Sequence, residues 1–148
     1  MKTAAVMTRD IVVVSPNVTA PAAQSTMGRL CVRHLPVVES GRLVGIISDR
    51  DLLRRPLLTS PPLTCGQVMT PAPVTCQAST SVGQVARSML EHKIDCVPVV
   101  DDGGRLVGLV TSSDLLELLV ERDQAQSLPP FDFRLQLAES DNELVATA

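Results

Sequence analysis

The sequence predicts an α+β fold made of two like units, each a strand, a helix, two strands and a last helix, packed against one another through their sheets. Three observations predict it. Val6-Met7-Thr8 recurs as Val68-Met69-Thr70, and His34-Leu35-Pro36-Val37-Val38 recurs as Cys96-Val97-Pro98-Val99-Val100 at the same offset. Gly41-Arg42-Leu43-Val44-Gly45-Ile46-Ile47-Ser48 then matches Gly104-Arg105-Leu106-Val107-Gly108-Leu109-Val110-Thr111, shifted by one residue inserted in Asp101-Asp102-Gly103-Gly104. Self-similarity carried through in register is the mark of a duplicated supersecondary unit. It divides the chain into a first unit at 1–56, a linker at 57–63, a second unit at 64–123 and a C-terminal extension at 124–148.

Each element has its own local reason. Ile11 to Val14 and Val74 to Cys76 are short apolar runs near proline, which predict a first strand. Val82, Val85, Ala86, Met89 and Leu90 recur at helical spacing behind Thr80 or Ser81 as N-cap. In the first unit Pro21 suits the first helical turn and Ala23, Met27 and Leu30 form a thinner stripe. Gly28 costs that helix about 1 kcal/mol relative to Ala, so it is expected to be the weaker of the pair. Leu35 to Val38 and Leu43 to Ile47 read as strands joined by the turn Glu39 to Arg42, and Val97 to Val100 and Leu106 to Val110 repeat that hairpin. A last helix runs from Asp49 to Arg55, stopped by Pro56, and from Ser113 to about Asp123. A three-stranded sheet cannot bury both faces alone, so the two units pack together.

Composition removes several functions. The chain of 148 residues carries a net charge of −3, which gives no general attraction for nucleic acid or an anionic membrane. Every apolar run is far shorter than the ~18 residues of a membrane span, and the first ten residues lack a basic region followed by an apolar stretch. Cys31, Cys65, Cys76 and Cys96 form no CxxC pair, so they read as apolar residues of a reducing cytoplasm, and with His34 and His92 they complete no zinc site. There is no Gly-x-x-x-x-Gly-Lys loop, no Gly-x-Ser-x-Gly elbow and no ordered Cys/His pair. Asp49 and Asp51 are close enough for acid–base work, but adjacent acids at a helix start are more often caps. The chain is therefore expected not to be an enzyme and to need no cofactor.

Ser48-Asp49-Arg50-Asp51 and Thr111-Ser112-Ser113-Asp114 each follow a buried strand and open a helix. A helix start offers free N–H groups and partial positive charge that suit a phosphate, and a carboxylate one turn in can accept both hydroxyls of a ribose. The same Ser/Thr-x-x-Asp spacing is also close to a helix capping box, which is stabilising with no ligand at all.

These motifs resemble the cystathionine-β-synthase (CBS) domain family. The resemblance runs from about Lys2 to Val120 and rests on the Val-Met-Thr, Pro-Val-Val and Gly-Ile/Leu-Ile/Val-Ser/Thr-x-x-Asp features, each occurring twice. It implies a pseudo-twofold pair (a Bateman module) with two clefts between the packed sheets, where family members often hold AMP, ADP, ATP or S-adenosylmethionine to regulate a partner protein. It further implies that Asp51 and Asp114 meet a ribose, with Ser48 and Thr111 as hydroxyl partners, and that Arg33 and His34, with Asp95 and Cys96 as their counterparts, face the cleft. The adenine is expected beside the first strand, around Val13 to Pro16, including Val14 and Pro16, and around Thr75 to Ala78. Arg33, His34 and Arg50 then give the first unit up to three phosphate donors, against none in the second. The plainer reading is that Arg33 and Arg50 are solvated surface arginines. The expected protein is a homodimeric, nucleotide-responsive regulator; the rivals are a ligand-free dimerisation scaffold and an S-adenosylmethionine binder.

Past Val120 the repeat ends. Phe131, Phe133, Leu135 and Leu137 alternate with polar or small residues, a half-buried strand pattern expected to dock on the module or on a partner subunit.

Overall fold

The structure, a computed structural model, describes residues 1–55 and 59–123. The Phe131/Phe133 stripe and part of the predicted linker lie outside the described residues. Ten elements follow a short 3-10 turn at Thr3–Ala5: α1 (Ala20–Leu30), β1 (His34–Glu39), β2 (Arg42–Ser48), α2 (Asp49–Leu53), α3 (Cys65–Val68), β3 (Thr70–Pro71), α4 (Val82–His92), β4 (Cys96–Val100), β5 (Leu106–Thr111) and α5 (Ser112–Asp123).

The hairpins form where the repeat predicts them. β1 pairs antiparallel with β2 and β4 with β5, and both ladders slip at the same place, between Val37 and Val38 and between Val99 and Val100. Ser40 and Gly41 both take positive φ, 49° and 77°, the conformation a two-residue turn needs to match the strand twist. In the longer turn Asp101 Oδ1 accepts from the Gly103 and Arg105 N–H groups, each at 2.9 Å. α1 and α4 are each 11 residues long, so Gly28, which faces open space, does not shorten its helix. Ser81 is the N-cap of α4 and Thr19 that of α1. α2 stops at Leu53, two residues earlier than predicted, because the residue before a proline is biased away from helix and Arg54 becomes the cap.

The predicted first strands contract to single parallel bridges, Val14 on Val37 and Cys76 on Val99. Each is nonetheless fully bonded: the Val14 N–H donates to Pro36 O and the Val38 N–H to Val14 O, and Cys76 repeats this with Pro98 and Val100. This is the pattern of a single parallel bridge, in which one residue bonds both neighbours of its partner.

The third strand of the first sheet comes instead from the second unit. β3 pairs with β2 through Gly45 and Ile46, and Thr8 bridges Leu109 of β5 in the mirror arrangement. Each unit's leading segment is thus built into the other unit's core. Cys65 and Val68 of α3 are buried with Val14, Ala23, Met27, Leu35, Val37, Ile47 and Leu52, while Val6 and Met7 pack on Val85, Met89, Val97, Val99 and Val110. Burial of each larger aliphatic side chain contributes about 1.5–3 kcal/mol, so the exchange adds to both cores. Sequence reading missed α3. Its signal was local: the Gln67 side-chain oxygen accepts from the Thr64 N–H at 2.8 Å in a Thr-x-x-Gln capping box.

Candidate functional site

Two clefts of about 400 and 390 Å³ open between the units, and the exchange of leading segments decides what lines each of them. The larger, the Asp51 cleft, faces the β2–α2 junction (Ser48 to Asp51, with Arg54) toward Ala72, Pro73 and Val74 of the second unit. The other, the Thr111 cleft, faces the β5–α5 junction (Thr111 to Ser113) toward Asp10, Ile11 and Val12 of the first unit. Arg33, His34 and Asp95 form a wall common to both.

At the head of α2 the Asp51 carboxylate accepts from the Ser48 N–H at 2.8 Å and the Ser48 hydroxyl at 2.9 Å, both through Oδ2. The Asp51 N–H returns a bond to Ser48 Oγ at 3.3 Å. The β5–α5 junction repeats this, with Asp114 Oδ2 accepting from the Thr111 N–H at 2.6 Å and its hydroxyl at 2.8 Å. Both motifs are therefore capping boxes, and among the described residues no hydrogen bond engages Oδ1 of either acid. Asp51 lines its cleft, whereas in the other cleft Thr111 does so and Asp114 does not.

The two arginines are held by acids. Arg33 Nε donates to Asp49 Oδ2 at 3.0 Å, and Arg50 Nη2 stands 3.7 Å from Asp95 Oδ2, a pair that crosses between the units. The bond to Asp49 and its charge raise the Arg33 guanidinium further. Burial pushes the Asp49 carboxyl up, but the Arg33 hydrogen bond and charge, with the Arg50 N–H, outweigh it and hold the group below its ordinary value. Burial lowers His34, so its imidazole is neutral at pH 7 and offers one N–H in place of a positive charge. Arg54 and Lys93 also reach the Asp51 cleft, giving it four cationic against three acidic side chains. The Thr111 cleft has one cation, Arg33, against Asp10 and Asp95.

Of the residues singled out in the sequence, Arg33, His34, Ser48, Arg50 and Asp51 come together in one cleft, and Thr111 faces the other. Val14 does not reach either: it is buried in the first core. Pro16 packs against Gly66, where an added Cβ would stand 3.2 Å from its ring, and Thr75 is exposed outside both linings. Ile11, Val12 and Ala72 to Val74, slightly earlier in each segment, line the clefts instead. Only the exchange between units brings them there. Among the described residues no group of three His, Cys, Asp or Glu side chains is placed to hold a metal ion, and no helix is long and apolar enough to cross a membrane.

Two packed hairpin-and-helix units with paired clefts at their strand–helix junctions define a tandem module. The CBS domain family model matches residues 4–58 and 65–121, so the chain belongs to the CBS domain family and carries two such domains. It is 32% identical over 115 residues to an inosine-5'-monophosphate dehydrogenase of Korarchaeum cryptofilum, covering 72% of this chain but 22% of that enzyme. Among solved structures it resembles a CBS domain pair in complex with 5'-methylthioadenosine and S-adenosyl-L-methionine, with TM-score 0.75 and 30% identity over 82% of this chain and 98% of that one. CBSX2 of Arabidopsis thaliana, in its complex with AMP, matches with the same TM-score of 0.75, 30% identity, and 82% and 98% coverage.

Proposed function

We propose that this chain is a regulatory CBS pair that binds an adenine nucleotide of the AMP, ADP or ATP class in the Asp51 cleft and signals its presence to a partner protein in the cytoplasm. It carries out no catalysis of its own. One observation supports this above the rest: the head of α2, with Ser48, Asp51 and Arg50, faces Ala72 to Val74 across a cavity of about 400 Å³, with Arg33 on the adjoining wall. A ribose would bond Asp51, a phosphate would take the N–H groups and the arginines, and a base would lie on the apolar segment. The ligand would touch both units at once, so binding would favour one relative arrangement that a partner reads. The pair is read as a homodimer joined through the exposed leucines of α5.

The Thr111 cleft, with its acidic lining, suits adenosine or a cationic adenosyl compound such as S-adenosylmethionine better than a phosphate. A second reading, a scaffold without ligand, draws on the two capping boxes, which account for Asp51 and Asp114 by helix stability alone. Calorimetry with AMP and adenosine on wild type, Asp51→Ala and Asp114→Ala separates the readings. The nucleotide reading expects at least a tenfold loss of AMP affinity in Asp51→Ala and a smaller one in Asp114→Ala, since one charge-assisted contact is worth roughly 1.5–3 kcal/mol. A wild type that binds neither compound leaves the scaffold.

A further inference from the structure

We infer that Asp95 sets the charge preference of both clefts and links them, an inference that rests on the nucleotide reading of the Asp51 cleft. Arg33 and Asp95 hold equivalent backbone positions: the Arg33 carbonyl accepts from the Asp49 N–H and the Asp95 carbonyl from the Ser112 N–H, each at 2.9 Å. The same backbone carries opposite charges, on the wall that both cavities share. Arg33 turns to its own unit and bonds Asp49. Asp95 crosses to the other unit and stands 3.7 Å from Arg50, with side-chain exposures of 62% for the arginine and 42% for the acid.

A phosphate entering the Asp51 cleft therefore competes with Asp95 for Arg50. The competition is winnable, because an exposed ion pair is worth about 1 kcal/mol or less, below a well-placed phosphate contact. Once Arg50 has changed partner, Asp95 loses its ion-pair partner on the shared wall. In the Thr111 cleft the one cation facing it, Arg33, is bonded to Asp49, His34 is neutral and Asp10 adds a second acid, so negative charge prevails there. An anion bound on one side thus repels a second anion from the other. The charge pattern makes the two clefts antagonistic toward phosphorylated ligands.

The test is calorimetry at low salt with AMP and adenosine on wild type and Asp95→Asn, which keeps the shape and removes the charge. AMP is expected to bind the variant about two- to fivefold more tightly, with adenosine unchanged and the gain shrinking as salt is added. The interval between the first and second AMP-binding steps should narrow as well. Unchanged AMP affinity, or an equal shift for AMP and adenosine, overturns the role of Asp95 while leaving the nucleotide reading intact. Wild type silent toward both compounds defeats the nucleotide reading and this inference with it.

Discussion

Met69 lies against Gly45, and a Cβ on that glycine would overlap the Met69 sulfur and come within 3.0 Å of the Thr70 carbonyl. The pseudo-equivalent pair, Met7 on Gly108, is packed alike, with the Met7 sulfur 2.5 Å from the added carbon. Each methionine belongs to the leading segment that crosses between units, so these glycines are the seats on which the exchange rests.

Gly45→Ala and Gly108→Ala should therefore destabilise the module, although neither glycine itself lines a cleft. Overpacking of this kind costs about 1–3 kcal/mol, or roughly 2–4 °C per kcal/mol in a chain of this size. Thermal melting checks it, with Gly83→Ala as control because an added carbon there meets open space.

Asp51→Ala and Asp114→Ala should each lower stability in the complete absence of ligand. Both remove the side chain that satisfies two donors at a helix start, a loss of about 1 kcal/mol. α2 has only five residues, so it should fray more than α5. Hydrogen exchange at the Ser48 and Thr111 amides reads this directly; equal protection in variant and wild type would remove the capping role.

Thiol labelling should distinguish one cysteine from three. Cys31 is exposed, whereas burial raises Cys65 and Cys76, and burial with the Asp114 and Asp95 charges pushes Cys96 up to about 12. Since the thiolate is the nucleophile, iodoacetamide at pH 8 should label Cys31 first and Cys96 only on unfolding. The sign for stability follows. Above the unfolded value of 9.0 the unfolded chain releases the Cys96 proton while the native chain keeps it, so stability falls as pH rises from there toward 12. Mass spectrometry after brief labelling, and melting temperatures from pH 8 to 11, test the two halves.

Leu116→Glu with Leu119→Glu should convert a homodimer into a monomer. Leu90, Leu116, Leu119 and Val120 are 80%, 59%, 62% and 65% exposed on neighbouring helices, while Leu115 and Leu118 of the same helix are half-buried. Apolar surface of this extent normally lies in an interface. Light scattering at micromolar concentration decides, and a monomeric wild type would remove the homodimer.

The sequence by itself determined most of what depends on neighbours along the chain, the short α3 excepted. The duplication, the two hairpins with their turn residues, the proline-limited α2 and the Ser48/Asp51 and Thr111/Asp114 helix starts are set by φ preferences, caps and apolar spacing within a few residues. Tertiary structure alone decided which core takes Met7 and which takes Met69. It also decided that Ala72 to Val74 would face Asp51, and that Val14 would be buried in place of Ile11 and Val12. The physical reason is burial between segments far apart in sequence. Either leading segment is apolar enough for either core, and in the folded chain Met69 seats on Gly45 and Met7 on Gly108, the crossed arrangement that assembles each cleft from two units.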